Sequence, residues 1–310
     1  MDDVEKLIGN TPLIEPKKFW EKVGMYAMTP SPCLFLKLEN KNLGGSIKDR
    51  VALAIIKDAE RRGKLKPGGT IVEATSGNTG IGLALVGSAR GYKVVIVMPD
   101  TMSKERQELI ASYGGEVLLT DGKKGMSGAV EKAKALLEST PNSIFADQFN
   151  NPVCWEAHYQ TTGREIWAQT NGEVDIFLAC VGTGGTLTGI GKCLKEQNPK
   201  IKVVAVEPEA SPLLSKGFAG QHSIQGIGAN FIPNVLDRTT YDEVVTVSDE
   251  DAFAYSKLLR QTEEISVGIS SGAALAAACE IAKRPENWGK KIVTVLPDDG
   301  GRYLSTPLFE

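Results

Sequence analysis

A lysine near the start of the chain occupies a position where an amine could react. Lys48 follows Gly44 and Gly45 in a segment that joins an extended apolar run, 34–39, to a helical pattern. We call residues 42–50 the lysine loop. Removing a lysine from water costs free energy unless its amine is paired or used covalently. The residue types leave two interpretations, a solvated lysine at the start of a helix or an amine that forms a Schiff base.

A second segment combines hydroxyl and amide side chains with glycines. Residues 75–80, TSGNTG, follow a short apolar strand and begin a helical pattern, and we call them the carboxylate loop. Hydroxyls, an amide and backbone N–H groups at a helix N-terminus bind anions, and a carboxylate suits them. The alternative is an ordinary cluster of helix-capping residues.

A third segment is rich in glycine and threonine. Residues 182–186, GTGGT, also lie between a strand and a helix, and we call them the phosphate loop. Its glycines allow the backbone to approach a phosphate, and its hydroxyls and amides can donate to the phosphate oxygens. The dinucleotide pattern G-x-G-x-x-G fails because Leu187 occupies the third glycine position, and no Gly-Lys-Ser/Thr follows as in a nucleotide P-loop. A monophosphate is therefore the better fit.

A fourth segment, 268–273 with the sequence GISSGA, could turn a neutral hydroxyl towards a ligand or simply cap a helix. All four segments are predicted at the carboxyl ends of strands, where open α/β sheets bind ligands. A lysine, an anion loop and a monophosphate loop together indicate pyridoxal 5′-phosphate (PLP), with which a lysine can form an imine.

The elements that must position these loops alternate along the chain. Apolar strands separated by helices predict parallel sheets covered on both faces. The predicted fold class is α/β, with two doubly wound, mostly parallel sheet domains. One long helix is predicted over 153–170, and the stretch 208–242, rich in glycine and proline, is predicted to be irregular. Strands are predicted at 34–39, 70–74, 93–98, 116–119, 143–146, 174–180, 202–206 and 291–296.

Composition excludes several classes of protein. The 310 residues are 42% hydrophobic and 24% charged, with a formal net charge of −3, which gives no basic surface for nucleic acid. No apolar run reaches the ~20 residues that span a bilayer, and the N-terminus does not have the pattern of a signal peptide, so we expect a cytoplasmic protein without membrane association. The five cysteines show no C-x-x-C spacing and only two histidines occur, so neither a disulfide framework nor a metal site is expected.

The chain resembles the cysteine synthases (O-acetylserine sulfhydrylases) of the tryptophan-synthase-β-like PLP-dependent superfamily, also called fold type II. The resemblance covers nearly the whole chain and implies that the PLP site lies in the cleft between two domains. It implies a smaller, mobile domain over 40–150, a larger domain over 13–39 and 151–310, and an N-terminal arm over 1–12. The segments that carry the resemblance are IGNTPL at 8–13, GSIKDR at 45–50, TSGNTG at 75–80, GTGGT at 182–186, IQGIG at 224–228 and RYLST at 302–306.

The resemblance implies a PLP-dependent β-replacement through an α-aminoacrylate, converting O-acetyl-L-serine and sulfide to L-cysteine and acetate. It assigns Lys48 to the Schiff base with PLP and to proton transfer at Cα. It assigns Asn78 to the 3′-oxygen of PLP and Ser270 to the pyridine nitrogen. A serine hydroxyl stabilises a pyridinium less than a carboxylate would, which favours loss of a β-substituent over transamination. The residues implied to hold the phosphate are Gly182, Thr183, Gly184, Gly185 and Thr186.

The resemblance also implies a substrate site and partners. The partners would be small amino acids with sulfide or a thiol, a second copy of the chain in a homodimer, and the C-terminal tail of a serine acetyltransferase. The residues implied to contact the substrate are Thr75, Ser76, Thr79, Gln148, Gly228 and Asn230.

Asn230 departs from the family pattern, in which a glycine lines the substrate pocket at this position. The asparagine is either a substitution facing solvent or a group that changes the handling of the leaving group or nucleophile. Our hypothesis from the sequence is that Asn230 favours L-cysteine as the substrate, with release of hydrogen sulfide and formation of L-lanthionine or L-serine. Leu43, where the family commonly has proline, changes loop stiffness.

Other functions stay open at this point. The strand-to-helix loops alone suggest an NAD-dependent oxidoreductase, although the incomplete dinucleotide pattern speaks against it. A second alternative, a non-catalytic regulatory subunit with a decayed PLP site, conflicts with the retained polar residues of the loops. Threonine synthase, serine dehydratase and cystathionine β-synthase are alternatives within the superfamily.

Overall fold

The structure, a computed structural model, describes residues 2–310 and contains two compact units. The first unit comprises the segment up to Gly9 together with Asn42–Cys154, and the second comprises Asn10–Lys41 and Trp155–Glu310. Each unit is built on one sheet, with helices packed against it. The predicted fold class, two doubly wound and mostly parallel α/β sheets, is confirmed.

Ten strands are found in residues 2–310. They are β1 (Leu13–Ile14), β2 (Cys33–Leu38), β3 (Thr70–Ala74), β4 (Lys93–Pro99), β5 (Glu116–Thr120), β6 (Ser143–Phe145), β7 (Ile176–Cys180), β8 (Lys202–Pro208), β9 (Glu243–Val247) and β10 (Lys291–Leu296).

The same residues form twelve α-helices. They are α1 (Asp2–Lys6), α2 (Lys17–Lys22), α3 (Lys48–Arg61), α4 (Asn78–Ala89), α5 (Lys104–Ser112), α6 (Gly125–Ser139), α7 (Val153–Gln160), α8 (Thr162–Gln169), α9 (Gly185–Gln197), α10 (Leu213–Lys216), α11 (Asp249–Glu263) and α12 (Ile269–Lys283).

The sheet of the first unit has the strand order β5-β4-β3-β6, and all its strand pairs are parallel. The chain moves outward from β3 through β4 to β5 and then returns to place β6 on the other side of β3. This reversal is a topological switch point, where ligands of doubly wound sheets bind. The apolar side chains of β3 and β4 pack on Ala129 and Ala133 of α6, which cover one face of the sheet.

The sheet of the second unit has the strand order β1-β2-β10-β7-β8-β9. Its strands pair in parallel except that β1 pairs antiparallel to β2. From β7 the chain moves through β8 to β9 and then returns to β10 on the other side of β7, which creates a second switch point. Helix α12 is rich in alanine and is buried along most of its length, so its small side chains allow it to pack close to β7 and β10.

Among the elements that differ from the sequence prediction, two have a clear physical reason. The single helix predicted over 153–170 is wrong, because α7 and α8 are separated at Thr161, whose backbone leaves the helical region at φ −122° and ψ −78°. The Thr161 hydroxyl donates to the Ala157 carbonyl at 2.6 Å, a local bond of the kind that bends helices. Strand β9 was also not predicted; it is a short edge strand that owes its conformation to pairing with β8. The strands predicted at 70–74 and 291–296 are confirmed.

Helices that could cross a bilayer, long and apolar throughout, do not occur in residues 2–310.

A helix cap gives a direct test of the fold. Ser248 is the N-cap of α11, and its hydroxyl accepts a hydrogen bond from the Asp251 amide at 3.1 Å. Ser103 is the N-cap of α5, but its side chain makes no such bond. Ser248→Ala should therefore lower the free energy of unfolding by about 1 kcal/mol in urea denaturation. Ser103→Ala is the matched control and should change it by less than about 0.5 kcal/mol; equal effects would contradict the prediction.

Candidate active site

The lysine loop has a fixed backbone that places Lys48 at the first position of α3. Gly45 has φ +75°, a conformation that suits glycine, and the Lys48 amide donates to the Ser46 hydroxyl at 3.2 Å. The buried Asp49 carboxylate accepts a hydrogen bond from the Gly44 amide at 2.6 Å. The loop is thus tied to the start of the helix, and the Lys48 side chain is half-buried there.

Helix α4 crosses the start of α3 at close range. A Cβ at Gly82 would lie 3.0 Å from the Lys48 carbonyl oxygen, so the close packing of these helices requires a very small residue at this position. Asn78, the residue implied to contact the 3′-oxygen of PLP, is the first residue of α4. Lys48 and Asn78 therefore both stand at the N-terminal ends of two closely packed helices.

The switch point of the first unit brings two implied substrate residues together. The carboxylate loop follows β3, and Gln148 lies in the turn after β6. The Thr79 hydroxyl donates to Gln148 Oε1 at 2.5 Å, and both side chains are buried. Because this oxygen is engaged, the Gln148 amide presents its Nε2 group as the donor for a ligand.

The tip of the carboxylate loop is held from both sides. Within it, the Thr75 hydroxyl accepts a hydrogen bond from the Gly77 amide at 3.2 Å. From α5, the Arg106 guanidinium donates to the Ser76 carbonyl at 2.9 Å. Gly77 is the N-cap of α4 and has no side chain to cap it. The helix N-terminus thus offers backbone N–H groups and a favourable dipole to an anion.

A buried glutamate lies beneath this switch point. Glu73 on β3 is 2% exposed, and its carboxyl group accepts hydrogen bonds from the backbone amides of Asp147, at 2.7 Å, and of Gln148. Burial raises the pKa of Glu73 to about 8, against the opposing effect of the two amides. The sequence analysis did not single out Glu73. The sequence feature that could have identified Glu73 is an ionisable residue inside an otherwise apolar predicted strand.

The phosphate loop occupies the switch point of the second unit, between the end of β7 and the start of α9. Gly184 is the N-cap of α9 with φ +84°, and Leu236 would collide with any Cβ there at 2.6 Å. The Thr183 hydroxyl is close to the first turn of the helix, where it accepts from the Gly185 amide at 3.4 Å. Thr183 is buried and Thr186 is half-buried.

A second backbone segment packs directly on the phosphate loop. A Cβ at Gly182 would lie 2.4 Å from the Gly226 carbonyl oxygen, so only glycine permits this approach. The Gly228 amide donates to the Val181 carbonyl at 3.1 Å, and His222 Nε2 lies 3.2 Å from the Gly228 carbonyl oxygen. Gly228 is therefore fixed beside the phosphate loop. Asn230, two residues on, is exposed.

Ser270 lies at the same switch point. It is the second residue of α12 and is 4% exposed, and its carbonyl accepts from the Cys180 thiol at the end of β7, at 3.3 Å. The helix start is also tied to the turn after β10, because the Gly268 amide donates to the Asp298 carbonyl at 3.0 Å. The structure thus brings Ser270 to the strand ends that carry the phosphate loop.

The thiols of the chain are largely withdrawn from solvent. Burial raises the pKa of Cys154, Cys180 and Cys279 to about 12. Cys154 is the only one of these three whose pKa is influenced by Lys48, which acts to lower it. No group of histidine, cysteine and carboxylate side chains suited to a metal ion is found in residues 2–310.

The residues present fit PLP. Glycines at 182 and 184 let Gly226 and Leu236 pack closely on the loop. The donors that the loop offers are threonine hydroxyls and the amides at the N-terminus of α9. That donor set is neutral and suits a phosphate monoester. The amine required for covalent attachment is available in the first unit, on a half-buried lysine.

The fold and these groups define a class, the α/β enzymes that hold PLP at the carboxyl ends of parallel strands. The sequence pattern of the pyridoxal-phosphate dependent enzyme family matches residues 4–298. This chain belongs to that family. The match excludes the NAD-dependent oxidoreductase as an interpretation of the glycine-rich loops.

Several known proteins are similar to this chain over nearly its whole length. A protein named cysteine synthase from Staphylococcus aureus is 50% identical over 311 residues, covering 100% of this chain and 97% of that protein. The crystal structure of a cysteine synthase from Entamoeba histolytica has a TM-score of 0.95 at 42% identity and covers 100% of this chain and 90% of that one. A hydrogen sulfide-producing enzyme from Fusobacterium nucleatum has a TM-score of 0.90 at 43% identity, covering 98% and 100%.

The contact between Gly182 and Gly226 can be tested by adding one methyl group. Gly182→Ala places a Cβ 2.4 Å from a carbonyl oxygen, so we expect a loss of about 1–3 kcal/mol in unfolding free energy and at least about tenfold weaker PLP binding. Urea denaturation and a fluorescence titration with PLP measure both. At Gly77 the nearest atom would be 3.8 Å away, so Gly77→Ala should cost only the preference of an N-cap for glycine over alanine, less than about 1 kcal/mol. Wild-type PLP affinity in Gly182→Ala would refute the expectation.

The raised pKa of Glu73 predicts a pH dependence of stability. The ordinary value of 4.5 applies to the unfolded chain, whereas the folded pKa is about 8, so the folded state binds more protons between these values. The free energy of unfolding must then fall as the pH rises from about 5 to about 8. Glu73→Gln removes this component, and the decrease between pH 5.5 and 8 should be smaller in the variant by more than about 1 kcal/mol. Identical decreases in the two proteins would show that Glu73 does not titrate in this range.

Proposed function

We propose that this chain is a cysteine synthase, a PLP-dependent enzyme that converts O-acetyl-L-serine and sulfide to L-cysteine and acetate. The observation that carries the choice of substrate is the 50% identity, over the whole chain, to a protein named cysteine synthase. The geometry of the two switch points supports it, because one offers donors for a carboxylate and the other offers donors for a phosphate monoester.

Each unit supplies a different part of the chemistry. When bound, PLP supplies an electron sink that stabilises negative charge at Cα of an amino acid and so permits loss of a β-substituent. We assign the phosphate of PLP to the phosphate loop, Gly182–Gly185 with Thr186. The covalent attachment of PLP is assigned to Lys48 Nζ. Asn78 is assigned to contact the 3′-oxygen of PLP, and Ser270 is assigned to contact its pyridine nitrogen.

Lys48 is the proposed catalytic acid and base. Its position at the start of α3 is fixed by the lysine loop and by the contact with Gly82, which leaves the flexible side chain as the moving part. With PLP and an amino acid bound, the free Lys48 amine would remove the Cα proton of the substrate and later return it. This use of one residue in both directions suits a reaction in two halves, with acetate leaving before sulfide adds.

The substrate carboxylate is assigned to the switch point of the first unit. Thr75, Ser76 and Thr79 offer hydroxyl and backbone donors there, and Gln148 offers its Nε2 group. The site contains no lysine or arginine among the residues assigned to the carboxylate, so orientation depends on hydrogen bonds and the helix dipole. Arg106 acts on the loop backbone through the Ser76 carbonyl.

Ser270 favours β-elimination over transamination. A neutral hydroxyl near the ring nitrogen leaves the nitrogen unprotonated more readily than a carboxylate would, so the cofactor withdraws electrons less strongly. The burial of Ser270 and the anchoring of α12 at Gly268 keep this neutral partner in place.

The reverse use of the site, with L-cysteine as substrate and release of hydrogen sulfide, is not favoured. Among the relatives described above, the one with the higher identity over the full chain is named cysteine synthase, and the hydrogen sulfide-producing enzyme is 43% identical. Asn230 is exposed, and we retain it as the residue whose replacement tests the direction of the sulfur chemistry.

The remaining assignments follow the family resemblance. We propose a homodimer in the cytoplasm, without a nucleic-acid or membrane partner, whose substrate site can receive the C-terminal carboxylate of a serine acetyltransferase. Sedimentation of the PLP-loaded protein, alone and with a synthetic peptide of that tail, measures the assembly.

Product analysis tests the proposed function. The PLP-loaded protein is incubated with O-acetyl-L-serine and sulfide, or with L-cysteine alone, and amino acids and sulfide are measured. We expect kcat/KM for cysteine formation to exceed that for sulfide release by at least about 100-fold, which equals about 2.7 kcal/mol in transition-state free energy. Faster sulfide release than cysteine formation would overturn the proposal.

Two variants serve as controls for this experiment. Lys48→Ala lacks the amine, so it should form no product from either substrate and should lose the absorbance near ~410–420 nm expected of PLP held by a lysine. Asn230→Gly restores the family residue and should leave the ratio of the two activities within about threefold of wild type. A larger shift towards synthesis would show that Asn230 promotes cysteine breakdown.

A further inference from the structure

We propose that Glu73 is a positioning residue for the substrate carboxylate, acting through Gln148. Its carboxyl group fixes the turn after β6 so that the Gln148 side chain meets Thr79 and directs Nε2 to the ligand. This inference rests on the proposed function, because it concerns the same carboxylate site.

Beyond the last paired residues of β3 and β6, the Glu73 side chain replaces the strand backbone as the hydrogen-bond acceptor. Strands β3 and β6 pair as far as Val72 and Phe145, and the Ala146 amide still donates to the Val72 carbonyl at 3.1 Å. The next two amides, of Asp147 and Gln148, have left the ladder and donate to the Glu73 side chain. One carboxyl group thus holds two consecutive peptide units over the edge of the sheet.

The turn has a backbone that needs this support. Asp147 has φ +53°, a left-handed conformation that costs a non-glycine residue roughly 1–2 kcal/mol. Its side chain accepts from Asn150 Nδ2 at 2.7 Å, and its carbonyl accepts from the Asn151 amide at 2.9 Å. These local bonds close the turn on itself, and the bonds to Glu73 fix the closed turn relative to β3.

The turn and the carboxylate loop are then connected through side chains. Glu73 is followed after one residue by Thr75, so the strand that anchors the turn also leads into the carboxylate loop. Thr79 in that loop donates to Gln148 in the turn at 2.5 Å. Displacement of the turn would break this hydrogen bond, and Gln148 Nε2 would no longer be held in one orientation.

A glutamate at this place is costly, which indicates a specific role. The side chain is 2% exposed, and an ionisable group in an apolar strand must be desolvated. A glutamine of the same length could accept from one amide only, because its NH₂ group would face the other N–H. The carboxyl group is therefore matched to two adjacent donors.

The test compares Glu73→Gln with Thr70→Val in the PLP-loaded enzyme. Thr70 is buried in the same strand, at the end remote from the turn, and controls for general damage to β3. Glu73→Gln should raise KM for O-acetyl-L-serine on the order of tenfold and change kcat by less than about threefold, whereas Thr70→Val should leave both within about twofold. Unchanged KM in an active Glu73→Gln enzyme would overturn the proposal.

A double variant distinguishes positioning from a merely structural role. If Glu73 acts through Gln148, then Glu73→Gln in a Gln148→Ala background should add less than about twofold to KM, because the group that it positions is already absent. Full additivity of the two effects would contradict the mechanism.

Amide hydrogen exchange gives a measurement that does not depend on activity. Exchange of the Asp147 and Gln148 amides should accelerate at least about tenfold in Glu73→Gln. If that variant folds poorly, Glu73→Asp replaces it, and we expect a smaller acceleration at the same two amides. Unchanged exchange in these variants would refute the proposal even for an enzyme with another substrate. Absence of cysteine synthesis in the wild type, with accelerated exchange in Glu73→Gln, would instead refute the proposed function alone.

Discussion

The reversal of strand order in each parallel sheet is the constraint on which the candidate site depends. At such a point the connections of two neighbouring strands leave in opposite directions, so their loops diverge and expose the strand ends. In the first unit, β3 and β6 meet there, and their loops contribute Thr79 and Gln148. In the second unit, β7 and β10 meet there, and the phosphate loop and Ser270 lie at their ends. The chemistry is thus located by topology before any side chain is considered.

Close backbone contacts then set the positions of these loops. Gly82 allows α4 to lie against the Lys48 carbonyl, and Gly182 allows the segment at Gly226 to lie against the phosphate loop. Side chains at either position would separate the elements by at least a methyl group. Hydrogen bonds to buried carboxyl groups complete the arrangement, since Asp49 holds Gly44 and Glu73 holds the turn at Asp147. Backbone groups held in this way have little freedom to rearrange when a ligand arrives.

The sequence predicted the elements that depend on local pattern. The apolar runs at 70–74 and 291–296 are buried on both faces, so their composition alone identified them as strands of covered parallel sheets. The glycine-rich loops were predicted because a phosphate or carboxylate site needs a recognisable set of small and hydroxyl residues. Strand β9 was missed because an edge strand depends on its neighbour β8. The break at Thr161 was missed because the residues on both sides favour a helix. Glu73 was missed because its partners are backbone amides, which no residue pattern records.

The burial of the thiols has a consequence for an enzyme that handles sulfide. Exchange of sulfur between molecules requires a thiolate as nucleophile. With a pKa of about 12, each of Cys154, Cys180 and Cys279 is ionised to only about one part in 10⁵ at pH 7. These three cysteines therefore stay protonated and do not compete with sulfide as nucleophiles for the bound amino acid.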